Sequence, residues 1–318
     1  MGDLLTAPIA AIDIGTNSVL LTVAECASDG SLRPLLERAE ITRLGRGVDQ
    51  TLRLSDEGIE RTLKVLGDYT TQALAIGVPA AASIACVATS AARDAHNGAE
   101  FLRLVREQCG LAPTIIGGPR EAELTFLAAR HDFGAGEQPL GSIDIGGGST
   151  EIAVDLDHAN GFSTSLPIGS VRLYERCGLA AGENAAGRAC VEHEIAKGLR
   201  GVPRGSPGTL VIGIAGTWTT LATLALELPR YDAARIHGHR LALAEIEALT
   251  ERLWALSLPE RLRLPGLQPG RADVIPVGAL IATHTVRALG STMVTVSDRG
   301  VRWGLLYERA AIQARRVG

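Results

Sequence analysis

An internal repeat dominates this chain. Ile12-Asp13-Ile14-Gly15-Thr16-Asn17-Ser18 recurs as Ile143-Asp144-Ile145-Gly146-Gly147-Gly148-Ser149, and the register continues until Val23 stands against Val154. Each copy predicts two strands joined by a tight turn. An apolar segment ends on Asp, Gly or Asn relieves the turn backbone, and an apolar strand follows. What comes next is also alike. After the first copy the sequence predicts a strand over 34–42, a helix opened by Ser55 with Asp56 and Glu57 in its first turn, a strand over 82–88, a helix over 97–109 and a short strand over 114–116. After the second it predicts a strand over 161–166, one or two helices within 170–199, a strand over 209–214 and a helix starting at Ala215-Gly216-Thr217. A duplicated α/β unit follows, with domains at 1–124 and 125–318 and a terminal helix from about 300 placed to pack back on the first. The two hairpin tips are expected to face each other across a cleft.

Composition excludes several alternatives. At 318 residues, 46% hydrophobic and 21% charged, the chain can build two cores and is not a disordered or fibrous sequence. Its apolar run over 73–88 is broken by Gly, Pro and Ser, short of the ~20 residues that a membrane span needs. No basic region precedes an apolar stretch at the N-terminus, so a cytoplasmic protein with no membrane partner is expected. A net charge of −4 and 3% aromatic content argue against a nucleic-acid partner. Lys64 and Lys197 are the only lysines among 31 basic residues, a bias that base composition explains more simply than substrate does. The five cysteines, Cys26, Cys86, Cys109, Cys177 and Cys190, contain no C-x-x-C pair and read as buried small hydrophobes.

Turns built of Gly, Ser, Thr and Asn let several backbone N–H groups and hydroxyls converge on anionic oxygens. The phosphate-binding candidates are therefore Gly15, Thr16, Asn17 and Ser18 in the first copy, and Gly146, Gly147, Gly148, Ser149 and Thr150 in the second. Asp13 and Asp144, each just before its turn, would be repelled by phosphates unless a divalent cation intervened. Mg2+ or Mn2+ is the natural bridge, and Glu151 is positioned to join Asp144 around it. Neither G-x-x-x-x-G-K-[ST] nor a G-x-G-x-x-G after a strand is present, which removes the P-loop and Rossmann readings.

Six colinear segments resemble the exopolyphosphatase and guanosine pentaphosphate phosphohydrolase (Ppx/GppA) family. They are Asp13-Ile14-Gly15-Thr16-Asn17-Ser18, Ala88-Thr89-Ser90-Ala91-Ala92-Arg93, Glu121-Ala122, the stretch 144–151, Leu166-Pro167-Ile168-Gly169-Ser170-Val171-Arg172 and Gly216-Thr217-Trp218-Thr219-Thr220. The resemblance implies a duplicated ribonuclease-H-like fold of the actin, hexokinase and heat-shock-chaperone ATPase type, with the active site between the lobes. It also implies removal of terminal orthophosphate from inorganic polyphosphate, from guanosine pentaphosphate, or from both.

The resemblance implies Glu121 as the general base, in a Glu-Ala step near the start of the linking helix, with Glu123 on another face. The family often carries extra acidic residues before this step, where this chain has Pro119-Arg120. It also often carries Arg where Leu20 stands, and Arg93 is the replacement that the resemblance offers for the missing substrate contact. His237-Gly238-His239 reads as a loop, and Arg261, Arg263 and Arg271 read as solvated arginines, with guidance of a polyanion as the alternative. A chain ending at Gly318 lacks the helical second half of long members, from which preference for short polyphosphates is expected. A kinase on the same fold and a polyphosphate or alarmone sensor without turnover stay open as alternatives, and a homodimer is the expected assembly.

Overall fold

A computed structural model describes residues 7–27, 31–136, 138–156, 161–182 and 184–317. The chain divides into two compact units, Met1–Gly117 with Val301–Gly318, and Gly118–Gly300.

In the first unit, β1 (Ile9–Ile14), β2 (Ser18–Cys26), β3 (Leu32–Ile41), β4 (Ala85–Ala88) and β5 (Thr114–Ile115) form one sheet in the order β3-β2-β1-β4-β5. β1 pairs with β2, and β2 with β3, in antiparallel fashion, while β4 lies parallel to β1 and β5 parallel to β4. β1 is apolar on both faces because both are covered. Ala10, Ile12 and Ile14 pack with the helices Asp56–Ile76 and Gly98–Cys109. Ile9 and Ala11 pack instead against Leu306 and Ala310 of the terminal helix Val301–Val317. Arg302 fixes that helix by donating to Thr22 Oγ1 at 2.6 Å and to Glu37 Oε1 at 3.2 Å. Ser55 caps the helix Asp56–Ile76 as its sequence predicts, accepting from the Gly58 amide. β4 is shorter than expected. A single turn of 3-10 helix occupies Ala81–Ser83, and pairing with β1 starts only at Ala85.

The second unit repeats the plan. β6 (Leu140–Ile145), β7 (Thr150–Asp155), β8 (Gly161–Leu166), β9 (Leu210–Ile214), β10 (Arg240–Ala242) and β11 (Met293–Ser297) are ordered β10-β11-β9-β6-β7-β8. β6 pairs with β7, and β7 with β8, in antiparallel fashion, and β9 and β11 are parallel additions beyond β6, so the duplicated ribonuclease-H-like arrangement holds in both units. β10 adds an antiparallel edge. The helix Gly118–Phe133 packs along β6, β7 and β8. The division therefore falls at Gly117/Gly118 and not at 124/125, which would cut this helix. β10, β11 and the helices Leu243–Ala255 and Ile275–Leu289 lie outside the elements that the sequence predicts. The last of these is buried along most of its length, and a helix without a polar face shows no 3.6-residue period to detect.

One expectation is overturned by the fold. Cys177, at the end of the helix Ser170–Arg176, is disulfide-bonded to Cys190 in the helix Ala185–Gly198, with the Cα atoms 5.7 Å apart. Two partly exposed helix positions were brought together by packing, so neither behaves as a buried hydrophobe. A closed loop of this size stabilises by on the order of 3 kcal/mol. Cys86 and Cys109 are buried thiols, as expected, and Cys26 is a half-buried one.

Candidate active site

Both hairpin tips are built alike. Gly15 N–H donates to Ser18 O at 2.9 Å, and Gly146 N–H to Ser149 O at 3.0 Å. The tip carbonyls are taken by the loop after the third strand. In the first unit Thr42 and Arg43 donate to Asn17 O, and Gly45 to Thr16 O; in the second, Ser170 donates to Gly146 O, and Val171 and Arg172 to Gly147 O. Arg172 Nε adds a bond of 2.6 Å to Gly148 O. Among the described residues every peptide bond is trans, so each amide points opposite to the carbonyl of its own peptide unit. The N–H groups of Asn17 and Ser18, and of Gly147, Gly148 and Ser149, thus face away from those loops. Successive amides pointing one way form an anion-binding concavity.

Two glycines make the approach of loop to tip possible. A Cβ on Gly169 would lie 2.3 Å from Gly147 O, and one on Gly45 would lie 2.3 Å from Thr16 Cγ2. Gly45 carries no motif that marks it in the sequence; like Gly169 it follows an aliphatic residue in the loop after the third strand, four residues beyond Ile41 where Gly169 is three beyond Leu166. Thr16 Oγ1 is 2.8 Å from Ser90 Oγ. Thr150 is fully buried and its hydroxyl donates to Ile168 O, so its side chain holds the loop. Arg93 sits in the helix Ser90–Asp94, with Nη1 donating to Ile116 O at 3.1 Å and Nε 3.5 Å from Asp94.

The carboxylates of the second unit form a row. Asp144 on β6 stands directly opposite Glu151 on β7, and Glu151 opposite Ser165 on β8. Directly paired residues share a face of the sheet. Asp144 and Glu151 are 7% and 2% exposed, which is unusual for two adjacent acids. Ser165 Oγ donates to Glu151 Oε1 at 2.6 Å. Gly118, the first residue of the Glu121 helix, is seated on the same serine, since a Cβ there would fall 2.2 Å from Ser165 Cβ. Glu121, one turn on, is likewise buried. Glu123 is exposed and pairs with Arg120 at 2.8 Å. Among the described residues no group of three or more His, Cys, Asp and Glu side chains is placed to hold a metal by itself.

The first unit has Leu20 where the second has Glu151, so Asp13 stands opposite a leucine. Its Oδ1 is buried and meets no hydrogen-bond partner among the described residues. Burial pushes the Asp13 carboxyl from 3.8 up to about 6, and the Arg302 guanidinium only partly offsets this. A carboxyl raised in the folded state binds protons more tightly there than in the unfolded chain. Stability therefore falls as pH rises from about 4 to about 6. In metal-free protein Asp13→Asn is expected to raise stability at pH 7 by up to about 3 kcal/mol and to change it little at pH 4. Urea midpoints at the two pH values check this, and a pH-independent gain would assign it to another cause.

The remaining candidates are structural or local. Arg261 is fully buried and donates to Leu253 O at 3.2 Å, which corrects its reading as a solvated arginine. The Arg271 guanidinium rests on Gly216, where a Cβ would lie 2.0 Å from Nη1, and burial lowers its pKa to about 10 without discharging it at neutral pH. His237 Nδ1 lies 2.9 Å from Asp298 Oδ1. Phe133 tilts against the His237 ring at 5.1 Å.

The profile of the Ppx/GppA phosphatase family matches residues 22–312. Exopolyphosphatase 2 of Mycobacterium tuberculosis is 37% identical over 318 residues, covering 95% of this chain and 98% of that protein. The solved Ppx/GppA family member of Aquifex aeolicus is 32% identical with a TM-score of 0.78, covering 96% of this chain and 98% of that one. An exopolyphosphatase of Cytophaga hutchinsonii has a TM-score of 0.85 at 23% identity, covering 96% and 98%, a likeness of fold. No helix among the described residues is long and apolar enough to cross a membrane.

Proposed function

The chain belongs to the Ppx/GppA phosphatase family, and from that premise we propose that it is an exopolyphosphatase, hydrolysing terminal orthophosphate from inorganic polyphosphate with Mg2+ or Mn2+. The observation that carries this reading is the row of Asp144, Glu151 and Ser165, in which both carboxylates are buried. It adjoins the outward amides of Gly147, Gly148 and Ser149, and the Glu121 helix is seated on it. Glu121 orients a water molecule and takes its proton as the water attacks in line. The tip amides bind the equatorial oxygens of the reacting phosphoryl group, where charge is greatest. The matching amides of Asn17 and Ser18 offer a second phosphate cradle.

Asp144 and Glu151 fit a hard divalent ion. Two carboxylates directly opposed on an antiparallel pair repel each other, and a cation held by both turns that repulsion into attraction. Bound there, it would polarise a phosphoryl oxygen and neutralise developing charge. Asp13, whose buried Oδ1 meets no hydrogen-bond partner among the described residues, is the candidate carboxylate of the first unit.

The test is orthophosphate release from polyphosphates of defined length and from guanosine pentaphosphate. The expected result is release from polyphosphate that a chelator stops and Mg2+ restores. Release from the pentaphosphate alone would make the chain a guanosine pentaphosphate phosphohydrolase, and binding of both without release would make it a sensor; either outcome overturns the reading.

A further inference from the structure

Ser165 takes no chemical step in the mechanism above, yet it touches two elements that do. Its hydroxyl is 2.6 Å from Glu151 Oε1, in the range of a charge-assisted O–H···O⁻ bond, and its Cβ and Oγ form the seat of Gly118. The register leaves little freedom in this arrangement. Ser165 lies opposite Glu151, and Glu151 opposite Asp144, so a bond from one flank commits Oε1 and fixes the plane of the carboxylate next to Asp144. The first turn of the helix bearing Glu121 is held against the same side chain, since a Cβ on Gly118 would lie 2.2 Å from Ser165 Cβ and 2.4 Å from its Oγ.

We propose that Ser165 is a positioning residue, which orients the Glu151 carboxylate for a divalent cation and sets the helix of the general base upon it. This rests on the reading that Glu151 helps to hold the cation. Partners of metal-holding carboxylates are themselves worth about 10- to 100-fold in metal affinity or activity. Ser165→Ala removes one oxygen and introduces no clash.

The experiment measures Mn2+ affinity of the full chain by calorimetry without substrate, beside kcat and KM for polyphosphate, in Ser165→Ala, Glu151→Gln and the double variant. The expected result is Mn2+ affinity weakened about tenfold in Ser165→Ala, with kcat lowered comparably and KM for polyphosphate within twofold. The double variant should bind Mn2+ no more weakly than Glu151→Gln, because Ser165 acts through that carboxylate. Affinity unchanged in Ser165→Ala but lost in Glu151→Gln would overturn the proposal and leave the cation reading standing. Independent losses that add in the double variant would also overturn it. Affinity unchanged in Glu151→Gln would overturn the cation reading itself, and the role of Ser165 with it.

Discussion

Glu121→Gln is expected to lower orthophosphate release from polyphosphate by ~10²- to 10³-fold while leaving substrate binding nearly unchanged. Gln keeps the volume and planar shape of the side chain, so the helix Gly118–Phe133 retains its seat on Ser165 and its packing on β7 and β8. What is lost is the ability to take a proton from water. The control is on the same helix. Glu123 is exposed and paired with Arg120, so Glu123→Gln should leave turnover within about twofold. Single-turnover release, beside direct measurement of polyphosphate binding, separates the chemical step from affinity. A Glu121→Gln protein that keeps more than roughly a tenth of the wild-type rate has its base elsewhere.

The plan of the site was legible because it is carried by local turn chemistry repeated twice. Asp-x-Gly-x-x-Ser marks the end of a strand, a tight tip and the start of its antiparallel partner, and register then places Glu151 beside Asp144 with no further information. Leu20 at the matching place in the first copy shows from sequence alone that the two tips are not equivalent. What stayed hidden depends on contacts between distant segments. Ser165 becomes significant only when β8 is paired to β7 in a known register and the Glu121 helix is laid across it. Cys177 and Cys190 stand on separate helices, and nothing in their spacing announces that those helices bring them together. Thr150 looks like a ligand in a row of small polar residues, yet it faces Ile168. The long helix Ile275–Leu289 and the short edge strand Arg240–Ala242 are opposite failures, one too uniformly apolar to show a period and the other too brief.

Gly169→Ala is expected to cost ~10²-fold in kcat/KM, although Gly169 touches no reacting group. The new Cβ would lie 2.3 Å from Gly147 O and 2.4 Å from the carbonyl carbons of Gly147 and Gly148. Those are backbone atoms of the tip, so no side chain can rotate away. Either the loop after β8 lifts, breaking the bonds that Ser170, Val171 and Arg172 make to the tip carbonyls, or the tip itself moves. In both cases the amides of Gly147, Gly148 and Ser149 lose their aim, and a misplacement near 1 Å is enough for a ~10² loss. Overpacking should also lower stability by about 1–3 kcal/mol. Gly45→Ala is the comparison that isolates the cause. There the Cβ meets Thr16 Cγ2 at 2.3 Å and Ala91 Cβ at 3.1 Å, both side-chain atoms, and Thr16 can yield at the expense of its contact with Ser90. Gly45→Ala should therefore lose less activity than Gly169→Ala, by a factor of about ten. Equal losses would mean that simple crowding after the third strand, and not displacement of the second tip, sets the penalty.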